Sequence, residues 1–197
     1  MSPRSREQFD KLRAKSRQAI MASALELFTH HGYHGTSVSM IAEQAGVSTG
    51  LMYNYFKSKQ ELLEAIIHEG IELIESTLAA LDTIDDPNLQ IERIVHEAFN
   101  MVDEDMHFWT LYFSVLMQPD LPKSAREIFS NFIQRIFSVL EDVFRRLGYP
   151  NPKAEARILG AMLDGAILHY WLVEKNYPLE DVKNLIIQKY TAAKQTK

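Results

Sequence analysis

Apolar residues recur along this chain at intervals of three and four, and nowhere do they alternate long enough for a strand, so the pattern predicts an all-α protein. Over residues 17–31, Ile20, Ala24, Leu27 and Phe28 fall on one helical face, and Gly32 follows as a C-cap. Thr36 or Ser37 can cap a short second helix, in which Val38, Ile41, Ala42 and Ala45 repeat with the same period. Gly46 breaks the chain again, and Ser48 can open a third helix that runs to Phe56. Ser58 and Glu61 form a Ser-x-x-Glu capping box at the head of a long helix reaching about Leu81, with Leu63, Ile66, Ile67, Ile74 and Leu78 inside it. After the break DTIDDPN (82–88), helices are expected near 89–104, 106–118, 122–147, 153–175 and 179–193. The proline-containing stretches MQPDLP, LGYPNP and NYPLE punctuate them. That makes about nine helices, while the polar first 18 residues, which lack an apolar period, are expected to fray.

The third helix is badly made for stability alone. Gly50 weakens a helix interior by roughly 1 kcal/mol relative to alanine, Tyr53, Asn54 and Tyr55 stand in a row, and Ser48–Phe56 carries no charge. Residues 37–56 nevertheless have the proportions of a helix-turn-helix: short amphipathic helix, glycine turn, short helix. Val38, Ile41, Ala42, Ala45, Val47, Met52 and Phe56 would form the small core between the two helices. Thr49, Gly50, Leu51, Tyr53, Asn54 and Tyr55 are then left without an inside, which suits a recognition helix lying in a major groove. Ser48 and Thr49 bring hydroxyls to a helix start, where free backbone N–H groups favour a phosphate. Gly50 lets backbone approach the duplex closely. Leu51 could touch a thymine methyl and Asn54 a base or a phosphate, while Tyr53 and Tyr55 offer hydroxyls to phosphate oxygens. Lys59 adds a cation in the first turn of the next helix, where an anion is ordinarily favoured, and it fits better with a phosphate nearby.

Charge sharpens this picture. The chain has 197 residues and a net charge of −5, yet residues 1–60 hold eight Lys/Arg against four Asp/Glu, and the remainder thirteen against twenty-two. A basic binding module on an acidic body is the natural reading. The absence of cysteine excludes disulfides and thiolate metal sites and suits a reducing compartment. No stretch approaches the ~20 apolar residues that span a bilayer, and no long apolar run follows the basic N-terminus, so a soluble cytoplasmic protein without signal peptide or membrane partner is expected. His30, His31 and His34 cluster in HHGYH but lack nearby carboxylates, so no metal is expected. Without G-x-S-x-G, P-loop, G-x-G-x-x-G or H-E-x-x-H, neither catalytic residues nor a cofactor is expected, and the chain reads as no enzyme.

The segment GYHGTSVSMIAEQAGVSTGLMYNYFKSKQELL resembles the DNA-binding domain of TetR-type transcriptional regulators, with about a dozen positions agreeing at fixed spacing. The resemblance covers roughly residues 14–75; beyond it only length and helical character agree. It implies a basic arm at 1–13, a helix-turn-helix domain at 14–62, and a ligand-binding and dimerisation domain at 63–197. It also implies phosphate contacts from Thr36 or Ser37, Tyr53, Tyr55 and Lys59, with Ser48, Thr49, Gly50, Leu51 and Asn54 close to bases. Leu51 departs from the small or hydroxylated residue common there, and Tyr55 stands where histidine is common. The basic residues before the first helix, Lys15 and Arg17 foremost, resemble extensions that lie along DNA in some relatives; a solvated tail is the alternative.

By the same resemblance the larger region should dimerise and hold an effector. ARILGAMLDGAILHYWL (156–172) is apolar around nearly its whole circumference, and Gly160, Ala161, Gly165 and Ala166 would admit a neighbouring helix. With the last helix it forms the candidate dimer interface, represented by Gly160, Ala161, Asp164, Gly165, Leu168 and Ile186. Aromatic and methionine side chains are dense over 95–144 and can line an adaptable cavity or simply fill a core. Phe99, Phe108, Trp109, Tyr112, Phe113 and Phe132, with Met162 and His169 from the following helix, are the candidate pocket for a small hydrophobic or aromatic effector. The expectation is a ligand-responsive repressor that binds a palindromic double-stranded DNA operator as a homodimer. The alternative is a helical small-molecule-binding protein with a vestigial DNA domain.

Overall fold

A computed structural model describes residues 6–173 and 176–191 of the chain. Residues 1–5 of the basic arm, and the last residues of the helices expected over 153–175 and 179–193, lie outside the described residues. Among the described residues there are nine α-helices and no strand: α1 (Arg6–Gly35), α2 (Val38–Gln44), α3 (Thr49–Tyr55), α4 (Lys59–Ala79), α5 (Pro87–Glu104), α6 (Met106–Leu116), α7 (Lys123–Arg146), α8 (Pro152–Val173) and α9 (Leu179–Thr191). A 3₁₀ turn, Ala80–Thr83, follows α4.

Local chemistry sets the short elements. Ser37 Oγ accepts from the Met40 N–H at 3.2 Å and Ser48 Oγ from the Leu51 N–H at 3.1 Å, each satisfying an orphan donor of a first turn. Between them Gly46 adopts φ 66°, its N–H donates to Glu43 O, and the Val47 N–H donates to Ala42 O, the hydrogen-bond pair of a Schellman ending. Glu61 N–H donates to Ser58 Oγ at 3.0 Å, while Glu61 Oε2 accepts from the Lys57 N–H at 2.7 Å, one residue earlier than a standard capping box.

The expected fraying of the first 18 residues is corrected: α1 is helical from Arg6. Residues 6–17 contain no Gly or Pro and are dominated by good helix formers, and they extend a helix already anchored at Ile20 and Ala24, so no new nucleation is needed. The helical backbone breaks instead at Gly32, at φ 72° and ψ 161°.

The chain forms two compact units. One comprises residues up to Ile71 together with His107–Ser130; the other comprises Glu72–Met106 together with Asn131 onward. Helices α4 and α7 each contribute residues to both. In the first unit, Ile20, Ala24, Leu27 and Phe28 of α1 are buried, as are Leu62, Leu63, Ile66 and Ile67 of α4. Each such aliphatic or aromatic side chain contributes roughly 1.5–3 kcal/mol by leaving water. Tyr112 of α6 lies against α4 so closely that a Cβ on Gly70 would stand 2.4 Å from its ring, and its hydroxyl donates to Ile67 O at 3.0 Å. In the second unit, Ile91, Val95 and Phe99 of α5 meet Leu140, Val143 and Phe144 of α7, Leu159 and Leu163 of α8, and Ile186 and Tyr190 of α9 in one core.

Candidate nucleic-acid interface

Helices α2 and α3 are held to one another by Ile41, Ala42, Met52 and Phe56, all at most 2% exposed. Met52 is the sole buried residue of α3 among those described, so the rest of this seven-residue helix faces outward. Thr49, Gly50, Leu51, Tyr53 and Asn54 are exposed, Tyr53 at 50%, and Tyr55 is half-buried. A Cβ built on Gly50 would meet nothing within 4 Å, so nothing inside the chain calls for glycine there. The face therefore offers hydroxyls, an amide, one leucine and a bare backbone patch, without a single charge.

Thr36 and Lys59 lie behind this face. Thr36 is 1% exposed, and its hydroxyl donates to Leu27 O and Gly32 O at 3.1 and 2.9 Å. Lys59 Nζ donates to Tyr33 O and Thr36 O, both at 2.6 Å, and stands 4.5 Å from the centre of the Tyr33 ring. These contacts tie the start of α4 to the chain just after the Gly32 break. They leave one of the three ammonium N–H bonds for another acceptor. Burial lowers the Lys59 pKa; burial, with a smaller contribution from the Glu64 carboxylate, raises that of Tyr33. Ser37 and Ser48 are exposed and occupied as N-caps.

Two further groups belong to this surface. Arg13 and Arg17 project from the exposed part of α1; the Arg13 guanidinium lies 6.0 Å from the Tyr55 ring centre and that of Arg17 5.3 Å from the Phe56 ring. Both belong to the basic stretch Lys11, Arg13, Lys15 and Arg17 that the resemblance suggests could lie along DNA, Lys15 and Arg17 foremost. Gln118, in the connection after α6, bridges the Gly32 break: its Nε2 donates to Phe28 O at 2.7 Å and its Oε1 accepts from the Tyr33 N–H at 3.1 Å. No local signal marks it. Lys15 is exposed on α1, away from the face shared by Arg13 and Arg17.

The residues expected to line an effector pocket are distributed over both units. Phe108, Trp109, Tyr112 and Phe113 belong to the first, where their rings pack on one another with centroids 5.1–5.8 Å apart. Trp109 and Tyr112 are fully buried there, and burial raises the Tyr112 pKa. Phe99 sits in the core of the second unit and Phe132 is buried in the same unit. Met162 and His169 line an open groove of about 490 Å³ on α8 and α9, together with Ala161, Gly165, Leu185 and Ile186. The groove thus coincides with the expected dimer surface, where Leu168, Leu172 and Leu185 are exposed. Gly160 differs, because a Cβ there would stand 2.9 Å from the Phe137 ring, whereas at Gly165 it would meet open space. Desolvation raises the Asp164 carboxyl above its ordinary range, although the residue is exposed on the single chain.

His34 Nε2 donates to Asp120 O at 2.9 Å, and His30 and His31 are exposed. Among the described residues no group of three or more His, Cys, Asp or Glu could hold a metal ion, and no helix is long and apolar enough to cross a membrane.

A capped two-helix corner that turns an uncharged, hydroxyl-bearing helix outward defines a helix-turn-helix DNA-binding regulator. Residues 20–66 match the bacterial regulatory proteins of the tetR family. The HTH-type transcriptional regulator BetI of Stenotrophomonas maltophilia (strain R551-3) is 30% identical over 177 residues, covering 86% of this chain and 88% of BetI. The fold is shared with the fatty acid degradation regulator FadR from Bacillus halodurans, at a TM-score of 0.72 and 19% identity over 92% of this chain and 97% of that one. It is shared equally with the transcriptional regulator FadR from Bacillus subtilis in complex with stearoyl-CoA, at 0.72 and 20% identity over 89% and 97%. The chain belongs to the TetR family of bacterial regulatory proteins, and it is a transcriptional regulator rather than an enzyme.

Proposed function

We propose that this regulator is a ligand-responsive repressor that grips a palindromic operator as a homodimer. The observation that carries the reading is the outward face of α3. Thr49, Gly50, Leu51, Tyr53 and Asn54 are exposed and unneeded by the core, and their chemistry suits base edges and phosphates. Ser37, Ser48 and Tyr55 border it, and the remaining Lys59 N–H can reach a phosphate from behind, while Thr36 holds the backbone in place. A two-fold dimer through α8 and α9 would set the two recognition helices about one helical turn of DNA apart, roughly 34–36 Å. The exposed leucines around the groove support that surface, since a second copy would take them out of water.

The effector is read as a small molecule with a large apolar part. The stearoyl-CoA bound by the Bacillus subtilis relative supports this class. Operator and effector would favour different arrangements of the two recognition helices, and such coupling is reciprocal. Helix α4, which starts at Lys59 and contributes residues to both units, is the natural lever.

Selection of bound fragments from the source genome tests the operator reading. Recovery of an inverted repeat with half-sites one turn apart is the expected result, and a protein that retains no preferred fragment would sink it. Stearoyl-CoA, with free CoA as control, tests the effector class: release of the selected DNA by the acyl compound alone supports an apolar effector, and equal release by both contradicts it.

A further inference from the structure

We propose that Gln118 is a positioning residue for operator recognition: its carboxamide splints the Gly32 break in α1 and so fixes the direction in which α2 and α3 leave that helix. The proposal rests on the DNA-binding reading above and adds to it a residue from outside the helix-turn-helix. At Gly32 ψ is 161°, where a helix has about −42°, and this angle orients the peptide group between Gly32 and Tyr33. The Tyr33 N–H is thereby turned out of the α1 ladder and needs a partner from elsewhere. Gln118 supplies it from 85 residues away, in the connection between α6 and α7. A planar carboxamide carries a donor and an acceptor side by side, as a peptide group does. Here Oε1 accepts from the Tyr33 N–H at 3.1 Å, and Nε2 donates to Phe28 O at 2.7 Å on the other side of the break. Only this orientation of the amide satisfies both, because Phe28 offers a carbonyl and Tyr33 an N–H.

Other contacts of the first unit converge on the same short segment. His34 Nε2 lies 2.9 Å from Asp120 O, two residues beyond Gln118, and Thr29 Oγ1 donates to Leu111 O of α6 at 3.3 Å. From α4, Lys59 Nζ donates to Tyr33 O at 2.6 Å. Tyr33 is therefore held at its N–H by the α6–α7 connection and at its carbonyl by the start of α4. Thr36 and the N-cap Ser37 follow directly, so the angle set at Tyr33 is passed to α2. Ile41, Ala42, Met52 and Phe56 then pack α2 and α3 together, and a rotation at the break carries the outward face of α3 with it. Gln118 stands where that rotation is most cheaply stopped.

The test compares operator and nonspecific duplex binding by the full chain. Gln118→Met keeps the length of the side chain and loses the amide donor. It should weaken operator binding by about tenfold, the consequence of a part-buried donor and acceptor left to find new partners. Nonspecific binding should change by less than about twofold and the salt slope should stay as it is, since no phosphate contact is removed. Hydrogen exchange at the Tyr33 amide should quicken in the same variant. Met117→Ala, next in sequence and 75% exposed in the wild type, should change none of these. A purely structural role would lower the Tm and reduce both kinds of binding alike, and that result overturns the proposal. Unchanged operator affinity overturns it as well. Should Gln118→Met fail to fold, Gln118→Asn, whose amide is too short to span the break, carries the same expectations. A Tyr53→Ala variant that loses the operator beside an unaffected Gln118→Met removes the splint and leaves the reading of α3 standing. A wild-type chain that binds no duplex overturns both.

Discussion

Two surfaces of this chain stay open to solvent, and their chemistry points in opposite directions. The outward face of α3 presents Thr49, Tyr53 and Asn54 around the bare backbone of Gly50, whereas the α8 and α9 surface presents Leu185 with Gly165 in its groove and leaves Leu168 and Leu172 of α8 exposed. Both glycines face open space. What separates them is the partner each can satisfy. Hydroxyls and amides gain little from an apolar surface but match phosphates and base edges. Exposed leucines, Leu172 at 72% and Leu185 at 65%, gain from another apolar helix and nothing from DNA. Exposure alone would not have told the two apart.

The largest effect that can break this comparison is at Tyr53. Tyr53→Ala removes a half-exposed phenol that no internal contact requires, so the fold and the dimer should persist while operator affinity falls by more than about 100-fold, over roughly 2.7 kcal/mol. Fluorescence anisotropy reads the affinity and analytical ultracentrifugation the dimer. Normal operator binding would remove α3 from the interface.

Next comes the other surface. Gly165→Leu should leave the single chain folded, because its side chain would meet open space, but it would wedge a partner helix away. We expect the dimer to weaken by about 10- to 100-fold, in keeping with roughly 1–3 kcal/mol for overpacking, with operator binding weakened in step. A dimer of unchanged strength places the contact elsewhere. Gly70 supplies the contrast with both open glycines, because a Cβ there collides with the Tyr112 ring. Gly70→Ala should lower stability by about 1–3 kcal/mol, seen as a reduced Tm. Gly50→Ala inverts the sign: the fold should gain about 0.5–1 kcal/mol while operator binding weakens, and a variant improved in both would show that no backbone approaches there.

The glycines also show where sequence legibility stops. Helices α2 and α3 lie within a residue or so of their expected limits because Ser37, Gly46 and Ser48 act locally, through hydrogen bonds to residues at most five positions away. Gly50 could be singled out because it interrupts a helix that no internal packing explains. Gly70 could not, because the Tyr112 ring that requires it is distant in sequence, and Gly160 was expected to admit a neighbouring helix without any sign that this would be the Phe137 ring of the same chain. The same limit hid the contacts of Lys59 with Tyr33 and Thr36, formed across 26 and 23 residues, and the bridge of Gln118 to α1. The aromatic density of 99–132 was visible, but periodicity does not say which unit a ring joins. Phe108, Trp109, Tyr112 and Phe113 pack in the unit that carries the helix-turn-helix, while Phe99 and Phe132 pack in the other.

The smallest effect sharpens the comparison at an acidic residue of the apolar surface, Asp164. Desolvation raises its carboxyl pKa, so the folded chain holds a proton there more firmly than the unfolded chain does. The associated stability is fully present below the ordinary carboxylate pKa of 3.8 and is lost as pH rises through the higher folded value. A partner's apolar helix would desolvate the group further, so the dimer should weaken over the same rise in pH. Asp164→Asn keeps the shape and removes the titration. It should flatten that pH dependence and tighten the dimer at neutral pH by less than about tenfold, under roughly 1.4 kcal/mol. Sedimentation equilibrium between acidic and neutral pH measures both. A weaker dimer would mean that a cation of the second copy pairs with Asp164, and the groove would then be held in part by charge as well as by its apolar side chains.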